Sequence, residues 1–328
     1  MPEAPPASRG FARLCLALLA STVALIALGG LVRITGSGLG CPDWPLCHGR
    51  LFPPFELAPW IEYTHRLAAA TVSLLVAAFC LISYLRYRRL AWVLWPAVAA
   101  PPLLAAQILL GRLTVLNEIP PATAWVHTAV AMAILACVAV PVCATYRPLL
   151  ELADRLARLW ATTGPARALP SAFTASALAV YVLLLSGAYV TRSGASAACP
   201  GFPGCGAESV VEISRSLQDI HMLHRVVASV AGFLLAFALA LGWQVGDAAL
   251  RRLAGAAGLL LATQIGLGVT NVLLKLPLWS RGLHLAIAGA LWAAVTILTV
   301  VAWRSQQLAR SRGVTHRLPP EARLSEGV

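Results

Sequence analysis

The stretch EYTHRLAAATVSLLVAAFCLISYL, residues 62–85, joins three ionisable side chains to an apolar run. The run is long enough to cross a bilayer, whose hydrocarbon core of about 30 Å needs about 20 apolar residues in a helix. Glu62, His65 and Arg66 are therefore predicted at the end of a membrane helix. Ionisable groups in such a position are costly unless they have a partner or a function. This stretch therefore predicts the fold and raises the question of function.

The composition is that of a polytopic membrane protein. The 328 residues are 59% hydrophobic and 12% charged, whereas soluble domains carry roughly 25% charged residues. Other apolar runs of similar length recur along the chain, and none has a charge in its middle. We predict an all-α protein with eight transmembrane helices, at about residues 12–32, 64–85, 91–112, 122–145, 171–191, 219–243, 250–272 and 282–303.

The net charge of +12 is unevenly distributed between the predicted loops. If the N-terminus is cytoplasmic, the Arg-rich segments 86–89 and 147–158 and the tail from Arg304 all fall on the inner side, as the positive-inside rule requires. We predict that both termini are cytoplasmic and that the basic tail lies near anionic membrane lipid. We expect no nucleic-acid partner, since no aromatic-basic module accompanies the charge.

An internal repeat organises the chain. SGLGCPDWPLC ends at Cys47 and SGASAACPGFPGC at Cys205, and the segments that begin at Gln107 and Gln264 also match. Two further histidine segments repeat, and all separations are between 157 and 159 residues. We predict two tandem, pseudo-symmetric four-helix bundles related by an axis along the membrane normal. The predicted parts are an N-terminal half at 1–145, a cytoplasmic linker at 146–170, a C-terminal half at 171–303 and a basic tail at 304–328.

The repeated histidines are the candidate ligands. HRLAAATVSLL from His65 matches HRVVASVAGFLL from His224, and HTAVAMAI from His127 matches HLAIAGAL from His284. Each half thus offers two imidazoles at one depth, from two helices of a bundle. This arrangement suits a heme iron, which takes one axial ligand from each face while its ring is buried between helices. Zinc is a poorer fit, because neither pair has a nearby cysteine or second carboxylate.

Two cysteine pairs and four arginines mark the predicted outer loops. Cys41–Cys47 and Cys199–Cys205 lie where the compartment is oxidising and disulfides persist. A structural staple is favoured for the second pair. For the first pair, a staple and an exchangeable thiol pair remain equally open. The arginines either extend towards lipid head groups or, if heme is present, pair with its propionates; they are Arg33, Arg66, Arg192 and Arg225.

These residues resemble the heme A synthase family, in the bacterial form with paired outer-loop cysteines. The resemblance rests on GGLVRITGSGLGCPDWPLCHG, EYTHRL, WVHTAVAM, HMLHRVVA and GLHLAIAGALW, and it extends from about Gly29 to Trp303. It implies an oxidoreductase that converts the C8 methyl group of heme O to the formyl group of heme A by successive hydroxylations, for a terminal oxidase. His65 and His127 would then bind the substrate heme, and His224 and His284 would hold a heme b cofactor.

Glu62 is the candidate catalytic residue. It lies three residues before His65, so both side chains project from one face of a helix. The family's glutamate in this helix corresponds to Glu62, and the residue at the same place in the second half is His221. A helix-start carboxylate or a salt-bridge partner of Arg66 is the alternative reading. The role of His221 stays open, with a propionate contact as one option.

Two other functions use the same histidines. A diheme b-type electron carrier needs all four but gives no reason for Glu62 to differ from His221, and a heme-handling assembly factor predicts exchangeable heme without a modified product. The resemblance also implies the bacterial plasma membrane, with the heme sites on the periplasmic side. Heme O synthase and cytochrome oxidase assembly factors are the implied partners. A homo-oligomer, the electron acceptor and the oxygen source stay open.

Overall fold

The structure, a computed structural model, describes residues 7–160, 162–206 and 215–313. Within these ranges the regular elements are all helices, with one isolated β-bridge between Cys47 and Arg50, which confirms the predicted all-α class. The α-helices are α1 Arg9–Ile34, α2 Leu57–Arg86, α3 Ala91–Leu116, α4 Pro121–Thr145, α5 Arg147–Leu159, α6 Gly164–Arg192, α7 Arg215–Val245, α8 Ala248–Leu273 and α9 Leu278–Ser311.

Eight helices, all except α5, are long and apolar enough to cross a membrane, so the predicted multi-pass membrane architecture is confirmed. Their ends extend beyond the predicted apolar runs. Helix α2 begins at Leu57 rather than near residue 64, and α9 continues to Ser311. Glu62 and His65 therefore lie inside a helix and not at its first residue. The cytoplasmic placement of the termini stays a prediction, and the tail beyond Gly313 lies outside the described residues.

The eight spanning helices pack as two similar groups. In the first half, α1 contacts α2, α2 contacts α3, α3 contacts α4, and α4 closes the ring against α1. Helices α6, α7, α8 and α9 repeat this pattern in the second half. The two groups meet where α9 packs on α1 and α4, and where α4 packs on α6. Each group thus has an interior bounded by four helices, where a site can be built.

Helices α4 and α9 form the centre of the molecule. In their most apolar segments, 50% of α4 and 61% of α9 is buried, whereas the other spanning helices reach 28% at most. Indole and phenol groups bridge the halves here: Trp292 donates from its Nε1 to the carbonyl of Met132 at 2.8 Å, and Tyr181 donates to Ala129 at 3.1 Å. Large apolar side chains on the outer faces, such as Leu74 and Phe233, are exposed, as expected for surfaces in contact with lipid.

Helix α5 occupies much of the segment that the sequence suggested was a polar linker. Leu149, Leu152 and Leu156 recur every three or four residues and are buried, while the charged side chains of Arg147 and Glu151 are exposed. The helix packs against α9. Arg155 also donates to Asp247 at 2.7 Å, and Asp247 is the N-cap residue of α8. Helix α5 is therefore tied to the second half.

Matching turns end α1 and α6 and bring the cysteine loops back over the helices. Gly36 and Gly194 have φ of 69° and 80°, left-handed conformations that favour glycine. Each begins a short 3₁₀ helix, Ser37–Leu39 in the first half and Ala195–Ala197 in the second. The repeated cysteines follow, and both predicted disulfides, Cys41–Cys47 and Cys199–Cys205, are formed.

Candidate functional site

In the first half, each repeated histidine lies against a glycine of the neighbouring helix. A Cβ atom built on Gly29 of α1 would lie 3.0 Å from Cε1 of His65, and one on Gly111 of α3 would lie 3.3 Å from Cε1 of His127. Any larger residue would push the imidazole aside. The two rings are close enough to interact electrostatically. The bundle therefore presents two half-buried imidazoles from α2 and α4 to one interior.

The second half repeats this arrangement. Gly187 of α6 lies against His224, with 3.1 Å from the built Cβ to Cε1, and Gly268 of α8 lies against His284 at 3.4 Å. These two imidazoles also interact electrostatically. The four glycines recur at the repeat spacing, yet the sequence analysis assigned them no role. The signal was present in the repeated GG and SG pairs of α1 and α6, but only the packing shows that a histidine fills the space.

A glutamine accompanies the second histidine of each pair. The amide Nε2 of Gln107 donates to Nε2 of His127 at 3.1 Å, and that of Gln264 donates to His284 at 3.2 Å. In both pairs the histidine Nδ1 and the glutamine Oε1 are buried without a partner among the described residues. If the amide is turned so that its oxygen accepts the N–H of the histidine Nε2, the lone pair of Nδ1 is left for a ligand, and both of these atoms are satisfied. The sequence analysis noted these glutamines only as repeat landmarks.

The first histidines of the two pairs, His65 and His224, differ in whether a hydrogen bond orients the ring. Nδ1 of His65 is buried without a partner in the described part of the chain, whereas Nδ1 of His224 lies 2.8 Å from Oγ of Ser186. The Ser186 hydroxyl also donates to the carbonyl of Leu183 at 2.8 Å, so it can accept the N–H of Nδ1 and leave the Nε2 lone pair free. Leu28 stands at the equivalent place in the first half. The second-half imidazole is thus the more firmly oriented.

The imidazole pairs fit heme better than a cation held by protein side chains alone. No group of three or more His, Cys, Asp or Glu side chains that could hold a metal ion occurs among the residues described. Each half instead offers two imidazoles, with unpartnered ring nitrogens in three of the four rings. Heme iron needs only two axial ligands, and its apolar ring suits an interior between membrane helices.

Glu62 and Arg66 form one unit with the first cysteine loop. Glu62 is 5% exposed, and its Oε1 accepts from Nε of Arg66 at 3.0 Å. The same guanidinium donates to three loop carbonyls, those of Asp43 at 2.7 Å, Leu46 at 2.9 Å and Cys41 at 2.7 Å. Most of its N–H donors are therefore engaged within the protein. The propionate role predicted for Arg66 stays a prediction.

Arg225 holds the second cysteine loop in the same way. Its guanidinium donates to the carbonyls of Cys199, Gly201, Pro203 and Gly204 at 2.7–3.0 Å. His221 takes the place of Glu62: it accepts from Arg225 at 3.3 Å through Nε2 and donates from Nδ1 to the carbonyl of Ala195 at 2.9 Å. Both ring nitrogens of His221 are therefore used within the protein, which indicates a structural role.

Arg33 and Arg192 lie where the two halves meet. Nη1 of Arg33 donates to Oγ1 of Thr191 at 3.1 Å, which joins α1 to α6. Nε of Arg192 is buried and has no partner among the described residues. Arg281 of α9 acts electrostatically on Arg33 together with Arg192, and no ion pair in the described ranges includes any of the three. Such a group of uncompensated cations is suited to binding carboxylates.

The chain matches known proteins along almost its whole length. Residues 12–61 and 55–296 match the family model described as cytochrome oxidase assembly protein. A heme A synthase of Bacillus cereus is 27% identical over 327 aligned positions, which cover 92% of this chain and 97% of the relative. A heme A synthase of Bacillus anthracis is 26% identical with the same coverage. The matched region includes both histidine pairs and both cysteine loops.

Proposed function

We propose, because this chain belongs to the cytochrome oxidase assembly protein family, that it is a heme A synthase, an enzyme that acts on heme O and produces heme A. The relatives that align over nearly the whole chain carry that name. One observation carries the proposal: both halves hold a pair of imidazoles against glycines, but among the described residues a buried carboxylate accompanies only the first pair. The first half therefore has a carboxylate that can exchange a proton beside its imidazole pair.

We assign a different heme to each half. His65 and His127 would bind the substrate heme O, and His224 and His284 would bind a resident heme b. The hydrogen bond from His224 to Ser186 supports this assignment, because a fixed imidazole suits a permanent ligand. His65 has no such partner among the described residues, as suits a site that must receive and release its heme.

The finer reaction is the oxidation of the C8 methyl group of heme O. Successive hydroxylations would give an alcohol and then a hydrate, which loses water to form the formyl group of heme A. Bound heme would supply the redox chemistry, because side chains alone cannot oxidise an unactivated methyl group. The protein holds the ring between helices and keeps the buried Glu62 carboxylate ready to accept or return a proton.

The propionates are assigned to the arginines at the boundary between the halves. Arg33 and Arg192 retain unpaired donors there, and Arg281 adds a third positive charge. Arg66 and Arg225 spend most of their donors on loop carbonyls. Substrate and cofactor carboxylates would therefore be held mainly by the first group.

We place the protein in the bacterial plasma membrane with both heme sites towards the periplasm. Each disulfide loop accepts hydrogen bonds from the arginine that follows a site histidine, Arg66 or Arg225, and disulfides persist in oxidising compartments. Heme O synthase and cytochrome oxidase assembly factors remain the partners that the family resemblance implies, and a homo-oligomer remains open.

The test is conversion of heme O by the purified protein. The protein, in detergent with its native heme content, is incubated with heme O under turnover conditions with a reductant system, and the extracted hemes are resolved by mass. Heme A should appear while a stoichiometric heme b remains. Heme b in both halves and no heme A would contradict the proposal and favour a diheme electron carrier. Exchangeable heme in both halves, unmodified, would favour a heme-handling factor.

A further inference from the structure

Arg66 connects two parts of the first half that are far apart in the sequence. Four of its five N–H donors are engaged, one with the Glu62 carboxylate and three with carbonyls of the loop closed by Cys41 and Cys47. The exposed fractions of the Arg66 and Glu62 side chains are 15% and 6%. A buried carboxylate held by a single guanidinium takes its orientation from that partner.

The loop also rests on the start of α2, the helix that carries Glu62. A Cβ atom built on Gly40 would lie 2.5 Å from the backbone of Ala58, so the two backbones are in close contact. Asp43 holds the far side of the loop by accepting from the backbone N–H groups of His48 at 2.6 Å and Gly49 at 2.7 Å. The loop is therefore a defined structure with Arg66 at its centre.

Comparison with the second half shows which contacts of Arg66 are common to both halves and which occur only in the first. Arg225 also donates to carbonyls of its own cysteine loop, four where Arg66 has three, so loop binding alone is common to both halves. The residue four positions earlier differs, being His221 in the second half and Glu62 in the first. Only in the first half does the arginine connect the loop to a carboxylate, whereas both ring nitrogens of His221 are already bonded within the protein.

We propose that Arg66 is a positioning residue for Glu62, and that it couples the conformation of the Cys41–Cys47 loop to the catalytic carboxylate. The proposal rests on the proposed function, since it gives Glu62 the role of proton acceptor. It departs from the propionate role expected for Arg66 from the sequence. Opening of the loop removes three of the four bonds that fix the guanidinium, and Glu62 then loses its orientation.

The kinetic test compares Arg66→Gln, Arg66→Lys, Glu62→Gln and the double variant as purified full-length proteins. A misplaced catalytic group costs on the order of 100-fold in rate, so Arg66→Gln should lower kcat by roughly 10- to 100-fold while the Kd for heme O changes less than about twofold. Arg66→Lys should recover part of the rate. In the Glu62→Gln background, Arg66→Gln should cause no further loss, because coupled residues are not additive.

A propionate role gives a different pattern and would overturn the proposal. In that case the Kd for heme O would rise at least about tenfold, and the loss would persist in the Glu62→Gln background. A wild-type rate in Arg66→Gln would overturn it equally.

A second readout does not depend on turnover. The rate at which a phosphine reduces each disulfide is followed by alkylation and mass spectrometry. Arg66→Gln should accelerate reduction of Cys41–Cys47 several-fold, and the matched variant Arg225→Gln should accelerate only Cys199–Cys205. Coupling further requires that Glu62→Ala accelerate reduction of Cys41–Cys47, and an unchanged rate in that variant would refute it. If the wild-type protein makes no heme A, the proposed function fails, whereas this readout still decides the coupling.

Discussion

The histidines owe their placement to glycines on the adjacent helices. In all four cases the atom nearest to a built Cβ is the imidazole Cε1, at 3.0–3.4 Å. At the 3.0–3.3 Å found for three of the glycines, a methyl group has no room unless the ring moves, whereas the 3.4 Å at Gly268 is ordinary van der Waals contact. These three glycines therefore help to define the space that the imidazole fills, although they offer no ligand atom.

We expect Gly187→Ala to weaken the second-half heme selectively. The added methyl would lie 3.1 Å from Cε1 of His224, and overpacking costs about 1–3 kcal/mol, or roughly a 5- to 150-fold loss in heme b affinity. Heme content and the absorption spectrum of the purified variant measure this. Gly232→Ala is the matched control, because a Cβ there meets nothing within 4 Å. An equal loss in both variants, or in neither, would contradict this account of the glycines.

Single residues were predictable where the sequence repeats itself. The histidines and cysteines carry their chemistry in the side chain, and repetition separated them from the residues that occur only once. The support of Ser186 for His224 was not predictable, because the partner lies 38 residues away on another helix. The contacts of Arg66 with the loop could not be predicted for a related reason: its charge is visible in the sequence, but the carbonyls that accept from it are backbone atoms.

At the scale of elements, the first cysteine loop depends on Asp43. The backbone N–H of Gly49 and, after it, that of His48 hold the pKa of the Asp43 carboxyl below its usual range. A carboxylate whose pKa is lowered in the folded state stabilises that state above its unfolded pKa of about 3.9. The stabilisation is lost as the pH falls through the lower, folded pKa.

We therefore expect the loop to loosen as the pH falls below about 4. Phosphine reduction of Cys41–Cys47, measured between pH 3 and 6, should accelerate at the acid end relative to Cys199–Cys205 in the same sample. In Asp43→Asn the reduction should be fast throughout and lose this pH dependence. The idea fails if the variant and the wild-type protein show the same profile.

Helix α5 illustrates how an amphipathic element is missed when polarity alone is considered. The segment 146–170 was read as a linker from its prolines, glycine and arginines. The spacing of Leu149, Leu152 and Leu156 gives it a buried face, and Asp247 both caps α8 and pairs with Arg155. The element is short, so its helical period was easily overlooked beside eight longer apolar runs.

We expect Asp247→Ala to lower the thermal stability of the protein. Its carboxylate accepts from the backbone N–H groups of Ala249 at 2.9 Å and Leu250 at 3.0 Å, and loss of an N-cap costs about 0.5–2 kcal/mol. The ion pair with Arg155 adds little, because the arginine side chain is 37% exposed. Asp247→Asn should keep most of the stability, since asparagine also caps helices. The measurement is the temperature midpoint of unfolding in detergent. Equal midpoints for the two variants would contradict this prediction.

At the scale of the whole molecule, the repeat predicted the architecture well. Eight apolar runs and matched landmarks gave the helix number and the two similar halves before any contact was known. The way in which the halves meet could not be read from the sequence, because apolar side chains suit both lipid and a protein interior. The burial of α4 and α9 and the bonds that cross between the halves, such as Trp125 to the carbonyl of Leu185 at 2.9 Å, are tertiary properties.

The halves are alike in their imidazole pairs, and we propose that they differ in chemistry. Trp125 lies two residues before His127, and its partner Leu185 precedes Ser186, which contacts His224. The two sites are thus built on helices in direct contact. The central claim is that the first half performs the oxidation with Glu62, while the second half holds a heme that does not react.

Glu62→Gln tests this claim most directly, because it removes the carboxylate and keeps the shape of the side chain. The purified variant and the wild-type protein are given heme O under the same turnover conditions, and each sample is analysed for heme b and heme A by mass and absorption. Loss of a general acid–base group costs roughly 100- to 10,000-fold in rate. The account predicts that heme b content stays at the wild-type level while heme A formation falls by that factor. Heme A formation at the wild-type rate, or loss of heme b together with activity, would contradict it.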